Sequence, residues 1–121
     1  MDRDTPHILD IAESALLVQF YLKGVTRDDF MNDIQLQDSV IRRLEIIGEA
    51  ASRVSTQFRE RYDAIPWGRM IGMRNRVIHG YGTVDLDIVW TTVQDKIPEL
   101  LVLIEPLIPP KREERAELGC E

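Results

Sequence analysis

Apolar residues at Ile8, Ile11, Ala12, Ala15, Leu16 and Phe20 recur at steps of three and four, which predicts an amphipathic helix from about Thr5 to Leu22, ended by Gly24. After a connection containing Thr26 and Asp28-Asp29-Phe30 comes the strongest periodic pattern in the chain. It runs through Leu36, Val40, Ile41, Leu44, Ile47, Ala51 and Val54 and predicts a second, longer helix. Gly48 costs that helix about 1 kcal/mol of propensity relative to alanine. With Ala50 and Ala51 it forms a stretch of little bulk, where close helix packing is expected, within the chain or across a dimer.

Pro66 suits a first helical turn, so a shorter helix is expected from there toward Ile78, broken by Gly80 and Gly82. Asp85 is placed to cap a last helix whose stripe is Leu86, Val89, Trp90, Val93, Ile97, Leu100, Leu101 and Ile104. Pro98 should kink or split that helix. No alternating strand pattern of convincing length and no internal repeat accompanies these helices. The expected fold class is all-α, a bundle of four or five helices over residues 1–108, followed by a flexible charged tail at 109–121.

Composition narrows the picture. At 121 residues the chain suits one domain with one core, and 44% hydrophobic with 30% charged residues is the balance of a folded globular protein. No stretch approaches the roughly 18 uninterrupted apolar residues of a membrane span, and Met1-Asp2-Arg3-Asp4 lacks the basic start of a signal peptide, so a cytoplasmic location is expected. The single cysteine, Cys120, has no internal partner and belongs to no metal-spacing pattern. Arg42 with Glu45, and Glu49 with Arg53, stand at helical pair spacing and are expected on a solvated face.

A formal net charge of −6 argues against a protein that coats nucleic acid through general phosphate attraction, so any RNA binding must be local. One window permits it: no Asp or Glu occurs between Asp63 and Asp85, and Arg69, Arg74 and Arg76 fall inside. The same window holds Asn75, His79 and Tyr81. On an ideal helix Asn75 shares a face with His79 and is placed to orient its imidazole, whereas Arg74 converges on His79 only if the last turn unwinds, which is expected at Gly80.

RNA cleavage by transesterification needs a base for the 2′-hydroxyl proton, an acid for the leaving 5′-oxygen and a cation for the phosphorane charge, roles that histidine and arginine fill. The chain has two histidines, and His7 lies near the terminus. A symmetric dimer would bring two copies of Arg74 and His79 into one cleft. No second histidine, cysteine or carboxylate stands at ligand spacing from His79, so a metal-independent site without a cofactor is expected. On spacing alone the plainer reading stands beside this one. His79 then interacts with a helix dipole, Arg74 forms an ion pair, and Tyr81 packs under a loop.

The ordered series Arg74-x4-His79-x-Tyr81, preceded by Ile71-Gly72-Met73 and followed by Val84-Asp85-Leu86-Asp87-Ile88-Val89-Trp90, resembles the HEPN superfamily, specifically its HepT-like ribonuclease toxins. Leu36-Gln37-Asp38, Leu44-Glu45-Ile46-Ile47-Gly48-Glu49-Ala50-Ala51 and Ile65-Pro66-Trp67 are similar to the same family, so the likeness runs from the first helix to about Leu107. The resemblance implies a helical homodimer whose two Arg-x4-His motifs line a shared cleft, cutting RNA without a metal and arresting growth when unchecked. Arg74 and His79 would be catalytic, with Asn75 and Arg76 in support. Tyr81 resembles the motif tyrosine to which a partner nucleotidyltransferase antitoxin adds AMP, and the added phosphate would bring negative charge where RNA must enter. A noncatalytic HEPN module that binds a nucleotide or a partner is the alternative, because the scaffold also carries such modules.

Overall fold

The computed structural model describes residues 3–79 and 83–109, and the tail expected beyond Pro109 and Cys120 lie outside the described residues. Helix α1 (Thr5–Tyr21) starts with Pro6 in its first turn, where the missing N–H costs nothing. It buries Ile8, Ile11, Ala12, Ala15 and Val18 against α3 (Ile34–Arg53) and α8 (Ile97–Ile104). Gly24 ends the segment with φ +74, a conformation that L side chains rarely adopt.

Of the stripe predicted for α1, Ile8, Ile11, Ala12 and Ala15 are buried, whereas Leu16 and Phe20 are 54% and 73% exposed. At about 100° per residue Phe20 lies roughly 120° around the helix from Ile8. Val18 and Leu22, on the other flank, are buried in their place.

The helix predicted from Leu36 to Val54 is α3, capped by the Asp33 carboxylate, which accepts from Leu36 N at 3.0 Å. Its buried residues include Val40, Leu44, Ile47, Gly48 and Ala51. Glu49 and Arg53 pair at 2.7 Å on its exposed side, as their spacing predicts. The close packing expected at Gly48 is internal: a Cβ there would stand 2.8 Å from the carbonyl oxygen of Met70 on α5 (Trp67–Ile71).

Two short helices escape periodicity. Helix α2 (Arg27–Met31) is set by a reciprocal capping box in which Thr26 Oγ1 accepts from Asp29 N and Asp29 Oδ2 accepts from Thr26 N. Gln37 Nε2 donates to Phe30 O at 2.9 Å and holds α2 on α3, while Phe30 packs beside Trp90 with ring centroids 5.4 Å apart. Helix α4 (Thr56–Arg61) is capped by Ser55, whose N–H and hydroxyl both donate to the Asp4 carboxylate, at 2.7 and 2.8 Å. This joins the start of α1 to the corner after α3.

Asp85 caps the last helical stretch as predicted, its carboxylate accepting from Asp87 N and Ile88 N at 3.1 Å each. That stretch is split, as Pro98 requires, into α7 (Leu86–Thr91), one wide π turn over Thr92–Lys96, and α8. Ile97 N donates to Thr92 O across the wide turn, and Pro98 then falls in the first turn of α8, where it displaces no helical bond. The fold is all-α, with α1 packed on α3 and α8, α5 and α6 (Met73–Val77) on the far side of α3, and α2 meeting α7. Among the described residues no helix is long and apolar enough to cross a membrane.

Candidate active site

The single helix expected from Pro66 toward Ile78 is instead three pieces: α5, α6 and a strand, β1 (Ile78–His79). The first break is at Gly72. Its N–H closes α5 onto Gly68 O at 3.0 Å, and its own carbonyl accepts from Asn75 N and Arg76 N to start α6. A Cβ at Gly72 would stand 3.2 Å from Gly68 O, so the turn is drawn tight around a residue without a side chain.

The second break follows Val77. Ile78 and His79 pair antiparallel with Thr83 and Val84 of β2 (Thr83–Val84), Ile78 opposite Val84 and His79 opposite Thr83. Asp85 N donates to Val77 O at 2.8 Å and closes the base of this hairpin. Val77 and Ile78 are β-branched, which weakens a helix end and suits a strand. Sequence periodicity missed this pairing, because two residues per strand is too short to show alternation.

Two expectations change in consequence. Asn75 and His79 do not share a helical face, because the helix stops at Val77, two residues short of His79. The unwinding expected at Gly80 occurs earlier, at Ile78. Arg74, Asn75 and Arg76 stand together on α6, and His79 follows directly on the strand that leaves it. The side chains of Arg74 and His79, and all of Gly80, Tyr81 and Gly82, lie outside the described residues.

Asn75 and Arg76 are exposed. Arg76 Nη2 donates to Arg69 O at 2.8 Å, which fastens α6 to the preceding helix and holds the guanidinium beside the Arg69 backbone. The carboxylate that ends the acid-free window, Asp85, is occupied in capping α7. Met73 and Val77, on the inner face of α6, are buried and anchor the segment to the core. Among the described residues no three His, Cys, Asp or Glu side chains are grouped to hold a metal ion. The arrangement can present cationic and amide side chains to solvent from a firmly seated single turn of helix.

The chain belongs to the HepT-like ribonuclease family, whose model matches residues 11–107. Over 101 residues it is 39% identical to a protein of Thermococcus cleftensis named "Probable ribonuclease HepT", covering 84% of this chain and 92% of that relative. It is 47% identical over 90 residues to a Methanocaldococcus jannaschii protein named as a gamma-glutamylcyclotransferase and putative RNase; the match takes in 74% of this chain but spans only 40% of that longer relative. A further "Putative RNase" of Methanocaldococcus jannaschii is 37% identical over 98 residues, 81% of this chain and 90% of the relative. No solved structure matches the chain significantly.

Proposed function

We propose that this protein is a metal-independent endoribonuclease toxin that acts as a homodimer, with Arg74 and His79 of both copies lining one cleft. The observation that carries the reading is the intact Arg74-x4-His79 series at the helix-to-strand break, in a segment free of carboxylates, within a chain of the HepT-like ribonuclease family. The names of the relatives, which describe ribonucleases, support the substrate class.

In the proposed reaction one His79 takes the proton of a 2′-hydroxyl as its oxygen attacks phosphorus. The His79 of the second copy gives a proton to the departing 5′-oxygen, and the P–O5′ bond breaks, leaving a 2′,3′-cyclic phosphate. The Arg74 side chains stabilise the charge that builds on the phosphorane oxygens. Asn75 and Arg76, exposed on the same turn, support the binding of the strand. Because His79 leaves α6 on a strand, its position depends on the hairpin with Thr83 rather than on the helix.

Control by a nucleotidyltransferase antitoxin follows the same logic. AMP transferred to the Tyr81 hydroxyl would set a phosphate beside the cleft, where it competes with RNA for the arginines. Co-expression with a candidate nucleotidyltransferase and intact-mass measurement is expected to show AMP-sized additions that vanish in Tyr81→Phe; additions that persist in that variant rule out Tyr81.

Cleavage of a defined RNA in EDTA, by the wild type and by His79→Ala confirmed as a folded dimer, tests the enzyme itself. Cleavage by the wild type alone is expected. Equal cleavage by both moves the activity elsewhere, and no cleavage by unmodified wild type favours a noncatalytic binding module.

A further inference from the structure

Helix α1 is apolar on two sides. Ile8, Ile11, Ala12, Ala15 and Val18 face the core, and Leu9, Leu16, Leu17 and Phe20 lie on the side turned away from it. At about 100° per residue, Leu9, Glu13, Leu16 and Phe20 fall within roughly 60° of one another, centred about 150° from the buried face. Leu16 and Phe20 are exposed, and Leu9 and Leu17 are half-buried. A surface helix carries charged and polar residues on this side, whereas a helix apolar all round is ordinarily covered on both.

The spacing of the outer stripe selects its cover. Leu9, Glu13, Leu16, Phe20 and Lys23 follow one another at steps of four, three, four and three, the a and d positions of a heptad seam. Glu13 and Phe20 take a, and Leu9, Leu16 and Lys23 take d. Lys23 stands in the turn that closes α1, its N–H donating to Phe20 O at 3.4 Å. When two copies pair antiparallel, with each a position facing a d position, Phe20 meets Leu16 and Glu13 meets Lys23. Both pairs are centred on residue 18, so one two-fold axis at the level of Val18 makes each contact twice.

The stripe is therefore complementary to itself, apolar to apolar and acid to base. Among the described residues neither Glu13 nor Lys23 has an ion pair within its own copy. A face made for an unrelated partner has no reason to match itself in this register.

We propose that the outer face of α1 docks a second copy of this chain, antiparallel, about that axis. The interface is distinct from the shared cleft: α1 packs on α3 and α8, whereas α6, which leads into the motif histidine, packs on α3 and α7. Only the size of the assembly rests on the ribonuclease reading. Chains paired at the cleft join again through α1 into assemblies larger than a dimer.

The test is sedimentation of the full chain over a range of concentrations, with RNA cleavage in EDTA and the thermal midpoint measured alongside. Wild type is compared with Leu16→Gln/Phe20→Gln, with Lys23→Glu and with Glu13→Lys/Lys23→Glu. All four positions are exposed, so the midpoints are expected to stay unchanged. Leu16→Gln/Phe20→Gln is expected to reduce the assembly to the cleft dimer and to keep cleavage. Lys23→Glu, which sets acid against acid twice, is expected to weaken the association about tenfold, and the double exchange to restore it within about twofold.

Equal masses for wild type and Leu16→Gln/Phe20→Gln overturn the interface, as does a double exchange no tighter than Lys23→Glu alone. The same series separates the two readings. A dimeric wild type that cleaves, and whose mass the apolar variant leaves unchanged, keeps the nuclease and removes the interface. If that variant turns a dimeric wild type into monomers, the interface stands and the shared cleft falls. If it falls to a dimer and neither protein cleaves, the interface stands and the nuclease falls. A wild type monomeric at every concentration overturns both.

Discussion

Over twenty residues α3 keeps one conformation and one buried face, with a side-chain cap at its start and Val40, Leu44, Ile47 and Ala51 closed into the core. From Trp67 to His79 the chain does the reverse: two helices of five residues each, a glycine turn between them, and a strand of two residues. The isolated short pieces could not stand alone, because a single helical turn costs more entropy to nucleate than its few bonds return. They are held by contacts from elsewhere: Met70 O against Gly48, Arg76 on Arg69 O, and Asp85 N on Val77 O. The difference teaches a division of labour, in which the long helices carry the stability and the broken segment carries the motif.

If that division is right, variants in the two regions should fail in different assays. The largest effect is expected for His79→Ala, a loss of RNA cleavage on the order of 10²–10⁴-fold with an unchanged denaturant midpoint. A variant that unfolds instead would show that His79 belongs to the framework. Leu44→Ala should do the opposite, lowering stability by about 2–5 kcal/mol in urea unfolding, because Leu44 is fully enclosed and its loss leaves a cavity.

Gly48→Ala probes the seam between the regions. Alanine favours the helix by about 1 kcal/mol, but its methyl meets a backbone carbonyl at 2.8 Å and must push α5 away. Overpacking of about 1–3 kcal/mol should win, giving a net destabilisation of about 1 kcal/mol. Because α5 leads into the motif, cleavage should fall more than stability does. A stabilised and fully active Gly48→Ala would break the claim that this contact positions the site.

Asp85→Ala removes two capping bonds of α7 and should cost about 1 kcal/mol by thermal unfolding. The smallest effect is expected at Arg27→Ala. Its ion pair with Asp87 is solvent-exposed on both sides, and such pairs contribute about 0–1 kcal/mol, less at high salt. A clear shift of the midpoint there would assign α2 and α7 a larger share of the framework.

The candidate site was half legible. Arg74, Asn75, Arg76 and His79 stand out as a run because the window lacks carboxylates, a property of composition that needs no fold. Their mutual placement was not legible. Helical spacing put Asn75 under His79, yet the chain turns into a strand at Ile78 because Thr83 and Val84 offer it a partner.

By itself the sequence determined the all-α class, the extents of α1 and α3, the cap at Asp85, the stop at Gly24 and the division of the last helix by Pro98. Each of these rests on interactions within a few residues, or on a periodicity repeated over several turns, and so is written locally. Only the tertiary structure decided which flank of α1 is buried, leaving Leu16 and Phe20 outside, and where the helix before the motif breaks. It also decided that Gly48 meets Met70. Those outcomes depend on partners distant along the chain, whose contacts outweigh the fraction of a kcal/mol by which local propensity separates one short conformation from another.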